Sequence, residues 1–216
     1  MHPAEIGFSK TKFPGYSFNS RIIMRGNRVE THPWRWSKDI LTFEGPVDDD
    51  LLVIVARDIN NRIMGILVNY ANHPQVMERD NMLLSADFPG WMEKRILERA
   101  NENSNLYCND INVMYINGAS GNICPVNSCS SENIEVGAEW AKKMGYALAD
   151  KIINILNSVK FYSDANVKVL SNTVSLPIRE ISQEKIEQAK HFLENPPEVK
   201  NVLKLSNYGI EPPNSD

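Results

Sequence analysis

The feature that most constrains this chain is an apolar run, Met64-Gly65-Ile66-Leu67-Val68, that leads without a break into Asn69-Tyr70-Ala71-Asn72-His73-Pro74. A run without polar alternation suits a strand covered on both faces, and Pro74 ends it because proline cannot donate to a ladder. The preceding run, Leu51 to Arg57, is equally β-rich, and Asp58-Ile59-Asn60-Asn61 between the two carries an Asn pair that tolerates the left-handed backbone of tight turns. The two runs are expected to pair as a hairpin whose second strand delivers His73 at its end.

Around this hairpin the spacing predicts further elements. Pro89 suits a first helical turn that Ser85 or Asp87 would cap, and Trp91, Ile96 and Leu97 recur at helical spacing to about Arg99. Ile111 to Ile116 reads as a short buried strand. Glu135 to Val159 reads as a long helix, with Val136, Trp140, Met144, Leu148, Ile152 and Leu156 at steps of four. Ala165 to Leu176 reads as another strand, and Ser182 to Phe192 as a charged helix opened by Ser182. Residues 1–46 show no sustained period and are expected to be irregular, 47–194 to form the α/β core, and 195–216 to be an irregular tail. The order of elements indicates an α/β class with a mixed β-sheet flanked by helices, in a single domain.

With 216 residues, 42% of them apolar and 23% charged, the chain has the composition of a globular domain, and its net charge of -4 argues against a general nucleic-acid binder. No apolar run approaches the ~20 residues of a membrane span, and the first residues lack the pattern of a signal peptide. The chain is expected to be soluble. Its three cysteines, Cys108, Cys124 and Cys129, are too few for a disulfide framework, although Cys124 and Cys129 could bridge across a loop.

Polar clusters follow the predicted strands or open the predicted helices, where α/β enzymes gather reactive groups. His73, held between Asn72 and Pro74, suits a metal ligand or a general base, and equally a half-buried histidine bonded to a backbone carbonyl. Asp87 reads either as a helix cap or as a carboxylate that orients a metal-bound histidine. In Gly118-Ala119-Ser120-Gly121-Asn122 the small residues let backbone N–H groups approach a ligand oxygen, as in an oxyanion site. Ser120 does not match a G-x-S-x-G elbow, which leaves Cys124 as the better nucleophile candidate beside its plainer reading as a buried or disulfide-bonded thiol. His32 and His191 are expected to be solvent-exposed.

Taken together, Gly65 to Pro74, Leu84-Ser85-Ala86-Asp87-Phe88-Pro89-Gly90 and Tyr115 to Pro125 resemble the amino-terminal catalytic domain of the neutral/alkaline ceramidase family and its bacterial relatives. Phe18-Asn19-Ser20-Arg21 looks like the family's Asn-Arg segment with the arginine displaced by one, and Gly45-Pro46-Val47-Asp48 looks like its Gly-Pro-Val/Ile-Asp turn. The resemblance spans roughly Ser17 to Leu156. It implies hydrolysis of a linear amide C–N bond, in an N-acyl lipid such as ceramide, by a zinc ion held by two His, a Glu and a Tyr. Residue by residue it places His73 on the second zinc histidine and Asp87 on the acid of the helix-opening motif. It places Gly118, Ser120, Gly121, Asn122 and Cys124 on the loop of the catalytic serine, and Arg21 near the site.

The chain departs from the family at Asn122, where an acid is expected, and at Cys124, where many members have serine or asparagine. By the resemblance the first zinc histidine should precede residue 1 and the Glu and Tyr ligands should follow residue 216. Two other readings remain: a non-catalytic domain that reuses the loop for binding, and a metal-free hydrolase using Cys124 and His73. A lipid amide partner makes association with a membrane surface compatible with the sequence, and a secreted or periplasmic setting is left open.

Overall fold

The chain is described from a computed structural model, over residues 3–77, 81–130, 136–166 and 168–195. Its strands are β1 (Glu5–Lys12), β2 (Phe18–Asn19), β3 (Arg21–Met24), β4 (Arg28–Thr31), β5 (Ile40–Phe43), β6 (Asp50–Arg57), β7 (Ile63–Tyr70), β8 (Tyr107–Asn117), β9 (Ile123–Cys124) and β10 (Lys160–Tyr162). Its helices are α1 (Asp87–Glu102), α2 (Ala138–Leu156) and α3 (Gln183–Glu194). The polypeptide divides into two compact units, residues 1–165 and 166–216.

The expected hairpin forms the centre of the first unit. β6 and β7 pair antiparallel from Leu52 opposite Asn69 to Arg57 opposite Ile63. In the turn Asn61 takes φ 63°, the conformation anticipated for the Asn pair. The Asp58 carboxylate accepts from the Asn60 and Arg62 N–H groups at 2.9 and 2.8 Å, mimicking a backbone turn. β1 joins β6 antiparallel, β10 joins β1 antiparallel, and β8 joins β7 parallel. The resulting mixed sheet has the order β10-β1-β6-β7-β8, and with α1 and α2 it makes the α/β architecture the sequence indicated.

α1 and α2 pack together on one face of this sheet. Leu51, Val53 and Val55 from β6 and Ile66, Val68 and Tyr70 from β7 point into the same core as Ile96 and Met92 of α1 and Met144, Leu148 and Ile152 of α2. The helical periodicity marked the buried stripe of α2 through Met144, Leu148, Ile152 and Leu156; in α1 it found Ile96, but the stripe runs through Phe88, Met92 and Ala100, while Trp91 and Leu97 are half-buried. α2 is shorter than the expected Glu135 to Val159, and Glu135 lies outside the described residues. The two helices meet at Gly145, where an added Cβ would come within 2.5 Å of the Phe88 carbonyl oxygen and 2.8 Å of the Met92 nitrogen.

Four expectations fail. Among the described residues β7 is not covered on both faces, since the helices lie on one side and its side chains alternate between buried and half-buried. Ile111 to Ile116 is not a short buried strand but part of the 11-residue β8, on which Met114 and Ile116 are exposed. Residues 1–46 are not irregular: they hold β1 to β5, with β3 between β4 and β5 in a small antiparallel sheet. β1 escaped notice because its core-facing side shows Gly7 packed against Val159 and Phe161, while Ile6 and Phe8 face away, so no apolar alternation marks the buried face. The other four strands are two to four residues long, too short to display a period. Conversely, Ala165 to Leu176 contains no strand among the described residues, although its composition favours one. Val169, Val174 and Leu176 are exposed. Strand propensity needs a neighbour to pair with, and among the described residues this segment pairs with none. In the second unit, α3 is opened by Ser182, whose hydroxyl accepts from the Lys185 N–H at 3.4 Å. The 196–216 part of the expected tail lies outside the described residues. No disulfide joins Cys124 to Cys129, so the possible bridge does not form.

Two outcomes follow from this packing. Gly145→Ala should lower the unfolding free energy by about 2 kcal/mol in urea titrations, because its Cβ meets rigid backbone of α1 rather than a side chain that can turn away. Backbone N–H groups of Arg62 and Asn60 and the Arg62 guanidinium hold the Asp58 carboxyl down from its ordinary 3.8 to about 2. A lowered acid stabilises the fold above its unfolded value and loses that contribution as pH falls through its folded one. The gap in Tm between the wild type and Asp58→Ala should therefore be constant above about pH 4 and shrink between pH 4 and 2.

Candidate functional site

β7 and β8 run parallel with Tyr70 opposite Asn117, so the segments that follow them, 71–77 and 118–125, open on the same edge of the sheet, where α/β folds place their ligands. Gly118 makes their contact close: its N–H donates to the Tyr70 carbonyl at 3.0 Å, and a Cβ there would sit 3.1 Å from the Ala71 nitrogen. Tyr115, on β8, donates its hydroxyl to the carbonyls of Tyr70 at 2.9 Å and Asn72 at 3.3 Å. Burial pushes this phenol far above the usual tyrosine range, so it remains a donor at all ordinary pH.

The first segment is pinned from beneath by residues ahead of the hairpin. Ser17 Oγ donates to the Ala71 carbonyl at 2.8 Å, and the buried Asn72 donates from Nδ2 to the Tyr16 carbonyl at 2.6 Å. Asn72 Oδ1 in turn accepts from the His73 N–H at 2.9 Å. The His73 ring then sets Nδ1 2.8 Å from the Ile123 carbonyl oxygen. A carbonyl only accepts, so Nδ1 carries a proton, and in the neutral ring the lone pair is then on Nε2, an assignment that rests on the partner's chemistry. Nε2 has no hydrogen-bond partner among the described residues. A backbone carbonyl fixing one imidazole nitrogen is how proteins present the other to a metal or a proton. Of the two readings of His73, the structure realises the carbonyl-bonded one and leaves the second nitrogen available.

The second segment is stitched to β2. Phe18 pairs with Cys124 and Asn19 with Ile123, while Ser20 donates to the Asn122 carbonyl from its backbone N–H at 2.8 Å and its hydroxyl at 3.1 Å. Ile123 N–H closes the loop on the Ser120 carbonyl at 3.0 Å, and Ser120 is buried. Gly121 and Asn122 are exposed, and their N–H groups make no hydrogen bond among the described residues.

The remaining candidates have other engagements. The Asp87 carboxylate does not bond the His73 ring. One oxygen accepts from Val76 and Met77 N–H at 2.8 and 3.0 Å, and the other from Phe88 N–H at 2.7 Å. Asp87 thus ties the end of the His73 segment to the start of α1, and the orienting role foreseen for it falls to the Ile123 carbonyl. It is buried and sits at φ 54°, a left-handed conformation that Asp adopts more readily than most residues. Neither anticipated residue is the N-cap: that position is Ala86, without a side-chain cap, and Asp87 is the first residue of α1; Ser85 Oγ accepts from the Asp87 N–H at 3.0 Å just ahead of the helix. Arg21 is paired bidentately with Glu44, Nε to Oε2 and Nη2 to Oε1, the latter at 2.8 Å; this hydrogen bonding raises the arginine pKa and lowers that of the glutamate. Cys124 is 1% exposed and directs its thiol to the Val126 carbonyl at 3.3 Å. His32 and His191 are exposed as expected.

The structure therefore brings together His73, the Ile123 carbonyl and the Gly118 to Cys124 loop. Ser17, Ser20 and Tyr115, which hold this assembly, were not foreseen. Their signal is weak in a linear chain, since two serines beside a two-residue strand look like any turn. Among the described residues no group of three or more His, Cys, Asp or Glu could hold a metal ion. A zinc centre needs three or four protein ligands, so the described residues do not by themselves fit zinc.

The fold is similar to that of solved ceramidases. A ceramidase structure described as complexed with C2 aligns over 72% of this chain and 22% of its own, with a TM-score of 0.50 and 17% identity. A neutral ceramidase from Pseudomonas aeruginosa aligns over 72% of this chain and 23% of its own, at a TM-score of 0.49 and 16% identity. At such identity the likeness is one of fold, and the chain spans less than a quarter of the length of either. No family model and no curated protein matches it.

Asp87→Ala removes a buried acceptor of three N–H groups, and should lower the unfolding free energy by about 3 kcal/mol. Asp87→Asn, which keeps one acceptor oxygen and tolerates left-handed backbone, should cost less than half of that. Hydrogen exchange at Val76 and Met77 should accelerate in both variants; unchanged exchange there would contradict the clamp.

Proposed function

We propose that the cluster at the ends of β7 and β8 is part of the site of a ceramidase-like amide hydrolase acting on an N-acyl lipid amide. The observation that carries this reading is the His73 ring, fixed at Nδ1 by the Ile123 carbonyl with Nε2 unengaged, beside a glycine-bearing loop with unpartnered N–H groups. The same three motifs suggested the ceramidase family in the sequence, and the fold similarity supports them. His73 would contribute one ligand of a zinc centre, whose other ligands would have to come from outside the described residues. The roles of this chain are positional. Asn72, Tyr115 and Ser17 hold the His73 segment, Ser20 and β2 hold the loop, and the N–H groups of Gly121 and Asn122 can meet an oxygen that gains negative charge.

Burial of Cys124 weighs against the metal-free cysteine reading, because an acyl carbon cannot reach a thiol that is 1% exposed. The experiment is hydrolysis of a fluorogenic N-acyl sphingoid amide by the purified protein, with and without chelator. Activity should be abolished by chelation, fall at least about 100-fold in His73→Ala, and survive a thiol-alkylating reagent. Chelator-resistant activity lost in Cys124→Ala would establish the cysteine reading instead. A folded, zinc-loaded protein without amidase activity would leave the binding-domain reading standing.

A further inference from the structure

Asparagine meets glycine at a single step in the sequence, Asn117-Gly118, and this step lies where β8 ends and the loop begins. At every other asparagine the following residue bears a side chain. Glycine leaves its backbone nitrogen unshielded, so an Asn-Gly step is where a side-chain amide is most open to attack by its own main chain. The close contact of the two loop segments favours glycine here: a Cβ on Gly118 would sit 3.1 Å from the Ala71 nitrogen and 3.2 Å from its Cα. The Asn117 side chain is exposed and has no hydrogen-bond partner among the described residues, so only the backbone restrains its amide.

That backbone opposes the attack in two ways. The Gly118 N–H donates to the Tyr70 carbonyl at 3.0 Å, and the nitrogen has to lose that proton before it can bond to carbon. The Tyr115 hydroxyl donates to the same carbonyl at 2.9 Å and holds it in place. Asn117 is also registered opposite Tyr70 in the parallel ladder. Extended backbone keeps the next nitrogen turned away from a residue's own Cβ, whereas ring closure needs the two to eclipse about the Cα–C bond.

We propose that Asn117 is a deamidation site that the β7–β8 pairing holds closed, so that opening of this strand end permits a covalent change after which the pairing cannot re-form. With the ladder open, solvent hydroxide takes the Gly118 amide proton, the nitrogen bonds to Asn117 Cγ, and the side-chain nitrogen leaves as ammonia, giving a succinimide. Water then opens the ring at either carbonyl to leave aspartate or isoaspartate. In sum an amide and a water become a carboxylic acid and ammonia, with nothing oxidised or reduced. Isoaspartate carries the main chain through Cβ, which inserts a methylene between Asn117 Cα and Gly118. Gly118 then cannot keep both its bond to Tyr70 and its seat against Ala71, and the Gly118 to Cys124 loop loses its place beside His73.

The test incubates the purified protein at mildly alkaline pH, folded and in urea, with circular dichroism to verify each state. Mass spectrometry follows the peptide containing Asn117, and an isoaspartyl methyltransferase scores isoaspartate. Deamidation should be at least about tenfold faster in urea, because a closed strand end reacts only through its opened population, and Asn117 should react ahead of every other asparagine. After the urea is diluted away, hydrogen exchange at Gly118 and Ile123 should stay fast in the isoaspartate fraction. It should recover in Asn117→Gln taken through the same treatment, since this variant extends an exposed, unbonded side chain and closes the larger ring far more slowly. Equal rates in the folded and unfolded protein, another asparagine reacting first, or an isoaspartate chain that regains the native exchange pattern would each overturn the proposal.

Discussion

The parallel pairing of β7 with β8 is the constraint on which the site depends. Antiparallel neighbours deliver their following loops to opposite ends of a sheet, whereas parallel ones deliver them to the same end and require a crossover between them. Here α1 is the helix in that crossover, so one topological choice places the His73 segment beside the Gly118 to Cys124 loop. It also commits α1 to lie over the sheet, where Met92 and Ile96 seal the core. Gly118 and Gly145 serve this arrangement at its two tightest points, one where the loops touch and one where the helices touch.

The site is supported almost wholly by backbone carbonyls and N–H groups. His73 leans on the Ile123 carbonyl, Ser17 on Ala71, Ser20 on Asn122, Tyr115 on Tyr70 and Asn72, and Asp87 on three N–H groups. Such a frame depends on where the chain runs more than on which side chains line it. This explains how a ceramidase-like fold can persist at under a fifth identity, and it shows why Asp87, which looks catalytic in its motif, acts as a structural clamp in this chain.

Much of the scaffold was legible because it obeys periods. The hairpin, both core helices and the Ser182-capped α3 are local patterns read within a dozen residues. The amino-terminal strands were hidden for two physical reasons: β1 buries a glycine rather than an apolar side chain, and β2 to β5 are shorter than any detectable period. The false strand at 165–176 is the converse error, since its β-branched residues describe a preference that only a paired neighbour can realise.

The sequence by itself determined that a strand leads into Asn72-His73-Pro74, that a glycine-bearing loop follows another strand, and that a helix opens around Asp87; these follow from apolar runs and proline acting over short distances. Only the tertiary structure decided that Ile123 rather than Asp87 orients His73, that Arg21 is spent on Glu44, and that Cys124 is sealed from solvent. Those outcomes turn on partners 50, 23 and more residues apart, and hydrogen bonds across such separations are set by how the elements pack, which no local pattern encodes.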